Sequence, residues 1–203
     1  MKEFFKKYSY NMIKLFITQM AVGLFGAVLA MATSTNDVLL WATGIGAAVF
    51  YLFLIYTSIW EVGAKDRISI DLGKAEKRPL TGFIIALIAN IPNLAVASVY
   101  TVCWFVSRGA EGTATNVAGA MRIVTFIAEG MYYGIMTAVK IGANQLFTFW
   151  WAYYIITIPA IIVSGVAYIL GTKNAKMTKI MDPVYPESDR EPKKKFFSRK
   201  KDD

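Results

Sequence analysis

"VAGAMRIVTFIAEGMYYGIMTAVKI", residues 117–141, decides how many times this chain crosses a membrane. It is long enough for a span, yet it carries Arg122, Glu129 and Lys140. At 100° per residue these three fall within about 40° of one another, with Thr125 and Tyr133 nearby. The result is a narrow polar stripe on an otherwise apolar helix. Such a helix lies in the interface, dips in and returns, or crosses outright, and the rest of the sequence has to arbitrate.

Four other windows need no arbitration. Residues 15–32, 38–60, 82–106 and 148–170 each approach or exceed the ~20 mostly apolar residues of a membrane helix. Composition agrees. The 203 residues are 56% hydrophobic and 18% charged, with a mean hydropathy of +0.44, and the charges crowd outside the windows. Trp41, Trp60, Trp104, Trp150 and Trp151 fall near window ends, as aromatic belts do.

Lysine and arginine then set the orientation, because cytoplasmic segments hold the excess. Four precede the first window, five lie between the second and third, and ten follow the fourth. Residues 107–147 have three, and the connection between the first two windows has none. An even number of crossings gathers all but those three on one side. The expected fold is therefore an all-α integral membrane protein of the cell (plasma or inner) membrane. It has four transmembrane helices, a surface or re-entrant extracytoplasmic helix over 117–141, and both termini cytoplasmic. On this count Glu129 belongs to a solvated or shallow helix face. Five crossings would strand either the ten-charge tail or the other two basic segments outside. The first window reads as a retained helix, since its apolar part exceeds the roughly 7–15 residues of a signal peptide.

Between the windows, residues 61–81 read as a solvated cytoplasmic loop with five basic and four acidic side chains. Within it "RISID" (67–71) alternates like a short strand. The GK pair at 73–74 lacks the spacing of a phosphate-binding loop. Residues 172–203 form a basic tail, extended around a proline-punctuated linker. Near its end Lys193, Lys194, Lys195, Arg199, Lys200 and Lys201 surround Phe196 and Phe197. Basic side chains at an anionic bilayer surface contribute on the order of 1 kcal/mol each, so the expected partners are the bilayer and its anionic headgroups. No stacking platform accompanies the tail, and nucleic acid is not an expected partner.

The chain has no histidine and a single cysteine, Cys103. That excludes histidine-ligated haem or zinc, a Ser-His-Asp triad and an intrachain disulfide. No cofactor or metal site is expected.

Two proline-containing windows carry the first candidate site. In "IANIPNLAVA" (88–97), Asn90 and Asn93 flank Pro92 on a small, polar stripe. Pro92 cannot donate to the Ile88 carbonyl and so loosens the helix, and within a bilayer the freed groups must find partners. Pro159 repeats the device with Thr157 and Ser164, on a face with Tyr153, Ala160 and Tyr168. Both prolines fall near mid-depth, about 15 Å into their windows at 1.5 Å per residue. Paired helix breaks there build transporter sites, although prolines are also common in membrane helices that merely pack. Packing is the plainer reading of both. The second candidate is Glu129 with Arg122 and Tyr133, functional if its helix enters the membrane. Gly23/Ala27 and Gly26/Ala30 make two small-residue pairs suited to close packing within the chain.

Three functions follow, in order. The first is a non-enzymatic membrane subunit or scaffold with protein partners or self-association. The second is a small oligomeric transporter or channel using the proline breaks. The third, on the thinnest support, is an enzyme on a lipid-linked substrate using Glu111, Arg122 and Glu129.

Overall fold

The computed structural model describes residues 2–106 and 113–173, with side chains from 116 onward in the second segment. It is mostly helical. The first helix, α1, runs Lys2–Thr33, and α2 runs Asp37–Asp71. The third window appears as α3, Thr81–Ala89, and α4, Ile91–Val106. Then come α5, Thr113–Ala128, and α6, Gly130–Ala138. A minimal hairpin of β1, Lys140–Ile141, and β2, Asn144–Gln145, precedes α7, Ala152–Ile155, and α8, Ile158–Thr172. Three helical segments are long and apolar enough to cross a membrane: α1, α2 and Ala152–Thr172. The bent α3–α4 pair makes a fourth if it counts as one span.

The helix α1 starts well before its apolar window because nothing in the basic segment breaks it: there is no Gly or Pro before Gly23. Tyr8, Met12, Leu15, Gln19, Val22 and Gly26 recur at three- and four-residue spacing and form one buried stripe. The turn into α2 is set by Asn36, whose side chain accepts from the Val38 and Leu39 amides, both at 3.1 Å. This caps two otherwise orphaned donors.

Residues 61–71 are not loop, and "RISID" is not a strand; α2 continues through them. The buried stripe Tyr51, Ile55, Ile59, Val62 carries on to Asp66 at helical spacing, and that period overrides the five-residue alternation. Ion pairs one turn apart, Glu61–Lys65 at 2.8 Å and Arg67–Asp71 at 3.2 Å, support the exposed side. Gly73, at φ 69°, ends the helix as a left-handed residue that a side chain would oppose.

The chain bends by 51° between α3 and α4, at Asn90 and two residues ahead of Pro92. Upstream of the bend α3 packs on α8: Gly82 lies against Ser164 and Tyr168, and the Phe83 ring covers Gly165. Downstream, α4 packs on α5 and α7. There Tyr100 donates to the Thr148 carbonyl at 3.3 Å, and Tyr154 donates to Ser98 at 3.1 Å. The fourth window begins later than its composition suggests. Residues 146–148 form a short 3-10 turn, and helix starts at Ala152. It breaks again before Pro159, which sits in the first turn of α8. The largest interface joins α2 and α8, where Gly63 and Gly171 let the two backbones meet.

The greatest departure from expectation concerns residues 117–141. They do not form one continuous helix. The helix stops at Ala128, resumes at Gly130, and ends at Ala138. The continuous stripe therefore does not exist, and Lys140 stands exposed on β1, away from Glu129. Instead α6 is sunk between α1 and α2. Gly130 lies on the Gly23 carbonyl and Ala27, Gly26 lies on Met131, and Gly134 meets Gly44 and the Leu40 carbonyl. The small-residue face of α1 thus receives a helix of its own chain.

Candidate functional site

Two buried acids dominate the polar chemistry of this bundle, and they are treated oppositely. Asp66, 5% exposed, is fully partnered. Tyr8 and Tyr168 donate to its Oδ2 at 2.6 and 2.8 Å, and Lys7 Nζ lies 2.7 Å from Oδ1. The cluster ties the start of α1, the end of α2 and the end of α8 together. Sequence reading missed it. The signal was there: Asp66 continues the apolar stripe of α2, four residues past Val62, where an acid needs a partner.

Glu129 is 4% exposed. It is not part of a solvated helix face, the first of the two placements expected from charge counting. It occupies the break between α5 and α6, with φ −120° and ψ 23°. Its amide still reaches the Thr125 carbonyl at 2.8 Å, while its carbonyl accepts from Tyr132 at 2.9 Å. The break exists because Gly130 can press onto α1 where a larger residue cannot, so the backbone turns there. Being ahead of the first turn of α6 places the carboxylate at the positive end of that helix. Its Oε2 nevertheless has no hydrogen-bond partner among the described residues. The partners expected from sequence lie elsewhere. Arg122 is exposed with its guanidinium 4.6 Å above the Phe147 ring. The Tyr133 ring stacks on Phe147 with centroids 5.7 Å apart.

Depth follows from the packing partners. Gly130 is level with Gly23, ten residues from the Thr33 end of α1, or about 15 Å at 1.5 Å per residue. The apolar part of a bilayer is about 30 Å thick. The Glu129 break therefore lies near the middle of the apolar length of α1.

A cavity of about 540 Å³ opens beside it. Ala30 and Met31 of α1, with Ser34 just past its end, form one side, and Arg122, Thr125 and Phe126 of α5 another. Glu129, Tyr133 and Met136 line it from the break and α6, and Phe147 and Tyr153 complete the wall. The cavity lies toward the Thr33 end of α1, opposite the Asp66 cluster. So Arg122, Glu129 and Tyr133 all line one cavity, although not along one helix, and it has an aromatic wall that sequence reading did not find. Phe126 and Tyr133, seven residues apart and in edge contact at 4.4 Å, were the available signal.

The asparagine–proline residues lie apart from this cavity. Asn90 Nδ2 donates to the Ala86 carbonyl at 2.9 Å, and not to the Ile88 carbonyl that Pro92 was expected to free. Asn90 Oδ1 and Asn93 Nδ2 are buried without partners. Thr157 donates to the Tyr154 carbonyl at 2.7 Å and Ser164 to Ala160 at 2.8 Å, each within its own segment. Pro159 is exposed. Each of these bonds runs back one turn within the same stretch of chain. Glu111 and the tail residues Lys193, Lys194, Lys195, Phe196, Phe197, Arg199, Lys200 and Lys201 lie outside the described residues.

No protein-family model matches the chain, and no curated protein or solved structure is significantly similar to it.

Proposed function

We propose that this chain is a non-enzymatic protein of the cell membrane with four crossings and both termini in the cytoplasm, serving a larger membrane assembly as its solute-binding subunit. Four crossings follow if the bent α3–α4 pair is one span. The one-sided distribution of Lys and Arg supports the orientation. The observation that carries the binding role is Glu129. An acid buried at a helix break, with an oxygen unpaired and a cavity beside it, is costly to keep and marks a functional site within a membrane. In this topology the cavity faces the extracytoplasmic side.

The test uses the chain's single cysteine. In a Cys103→Ser background, Ile123→Cys on the cavity rim is expected to react with a membrane-impermeant maleimide added outside intact cells. Phe126→Cys, deeper in, should react with a small permeant thiol reagent in membranes. If neither reacts, the solute-site reading is wrong. Isolation in mild detergent with a stoichiometric second protein supports the subunit role, and a chain that emerges alone and monodisperse removes it.

A second reading is a self-sufficient oligomeric transporter working through the proline breaks. The unpaired Asn90 Oδ1 and Asn93 Nδ2 beside the 51° bend favour it. It requires that Asn90→Leu with Asn93→Leu abolish flux in proteoliposomes while Glu129→Gln does not. Enzymatic action on a lipid-linked substrate stands last, resting on one acid and one arginine at a shared cavity.

A further inference from the structure

We infer that the Glu129 cavity takes a small organic cation, its ammonium group seated against the Glu129 carboxylate and its apolar part against the aromatic wall. The inference rests on the reading of this cavity as a solute site and names the chemical class of the solute.

Charge selects the class. Glu129 supplies a buried acceptor oxygen that no side chain among the described residues satisfies. Acceptor-only groups are satisfied by donors, and a buried carboxylate is best satisfied by one that carries a positive charge. The nearest cationic side chain on the cavity, Arg122, is turned away and exposed, its guanidinium held over Phe147. That contact shows that the wall accommodates a cation on a ring face, an attraction worth roughly 0.5–2 kcal/mol by burial. Phe126, Tyr133 and Tyr153 extend the same kind of surface around the cavity. A volume of about 540 Å³ exceeds what a bare metal ion requires, and among the described residues no cluster of three acidic, histidine or cysteine ligands exists. An anion finds no cationic partner on this carboxyl, and a neutral solute offers nothing that stabilises its charged form, which burial disfavours and only a cation restores.

Arg122 makes the proposal directional. Its charge stands at the mouth and repels a cation, and its guanidinium occupies the Phe147 ring. Removing it must therefore strengthen binding of a cation, the opposite of what losing an ordinary binding residue does.

The experiment compares 2-phenylethylammonium with 2-phenylethanol, which has the same shape without the charge, and with phenylacetate. Binding is measured calorimetrically to the full chain in lipid nanodiscs at low salt. The ammonium ion is expected to bind at least about tenfold more tightly than the alcohol, a difference of about 1.4 kcal/mol, and phenylacetate more weakly still. Glu129→Gln, nearly isosteric, should erase the preference. Arg122→Gln, an exposed change that leaves the fold intact, should raise affinity for the ammonium ion several-fold. Equal binding of alcohol and ammonium ion, tighter binding of phenylacetate, or weakened ammonium binding in Arg122→Gln overturns the assignment. A rim cysteine that still labels in that event leaves the solute site standing with a different ligand class.

Discussion

Gly130 sits on the carbonyl of Gly23, where a β-carbon has no room, and a β-carbon at Gly23 would in turn fall on the Ile127 and Ala128 carbonyls. This contact seats α6 between α1 and α2, and through it Glu129 reaches the interior. Adding a methyl at Gly130 would drive α6 off α1, because the obstructing atoms are backbone and the Ala27 β-carbon, none of which can rotate away. Gly130→Ala and Gly23→Ala are each expected to destabilise by about 1–3 kcal/mol, the usual cost of overpacking. Gly46, where a methyl group would meet nothing within 4 Å, is the control. There Ala should be neutral or stabilising by up to about 1 kcal/mol through helix propensity. Thermal unfolding in detergent checks all three, and a Gly130→Ala protein as stable as the parent would mean that α6 is not seated there.

Hydropathy made the long helices legible, and proline chemistry made the bend in the third window legible. One window edge moved because a longer-range pattern outvoted a local one, when the Tyr51–Asp66 stripe held residues 61–71 in helix. What stayed hidden was tertiary. Nothing local in "FIAEGMYYG" says that Gly130 will meet Gly23, more than a hundred residues earlier. Counting charges places Glu129 outside because that rule registers basic residues and ignores acids. Its grouping with Arg122 and Tyr133 was readable from spacing, but its burial required knowing what α1 would accept.

The Asp66 cluster predicts a graded loss. Tyr8→Phe and Tyr168→Phe each remove one hydrogen bond to a charged group, worth about 1.5–3 kcal/mol. Asp66→Ala strands both hydroxyls at once and should cost more than either single change, while the half-exposed Lys7 turns back to water. The double variant Tyr8→Phe/Tyr168→Phe should cost other than the sum of its singles, since both hydroxyls share Oδ2. Strict additivity in unfolding measurements would show that the two bonds are independent of the shared oxygen.

Pro92 should control the shape of the third window. Restoring an amide at this position with Pro92→Ala lets the helical ladder close across Asn90. Spin labels at Ile84 and Val102, both exposed and on opposite sides of the bend, are then expected to report a longer and narrower distance distribution than in the parent. An unchanged distribution would place the cause of the 51° bend in the packing of α3 on α8 and not in the proline.

The last prediction sets the two buried acids against each other. Asp66 is held by two hydroxyls and an ammonium group, so losing its charge is harmful. Glu129 has an oxygen with no partner, so its presence costs stability. Glu129→Leu should therefore raise thermal stability, by about 1–3 kcal/mol, the penalty of an unsatisfied buried polar group. Glu129→Gln should change stability less, because the carboxamide still brings polar atoms to the same place. Such a gain is what a residue kept for binding leaves behind when it is removed. A Glu129→Leu protein destabilised to the degree of Asp66→Ala would instead make Glu129 a structural residue, and the cavity beside it a packing defect with no ligand.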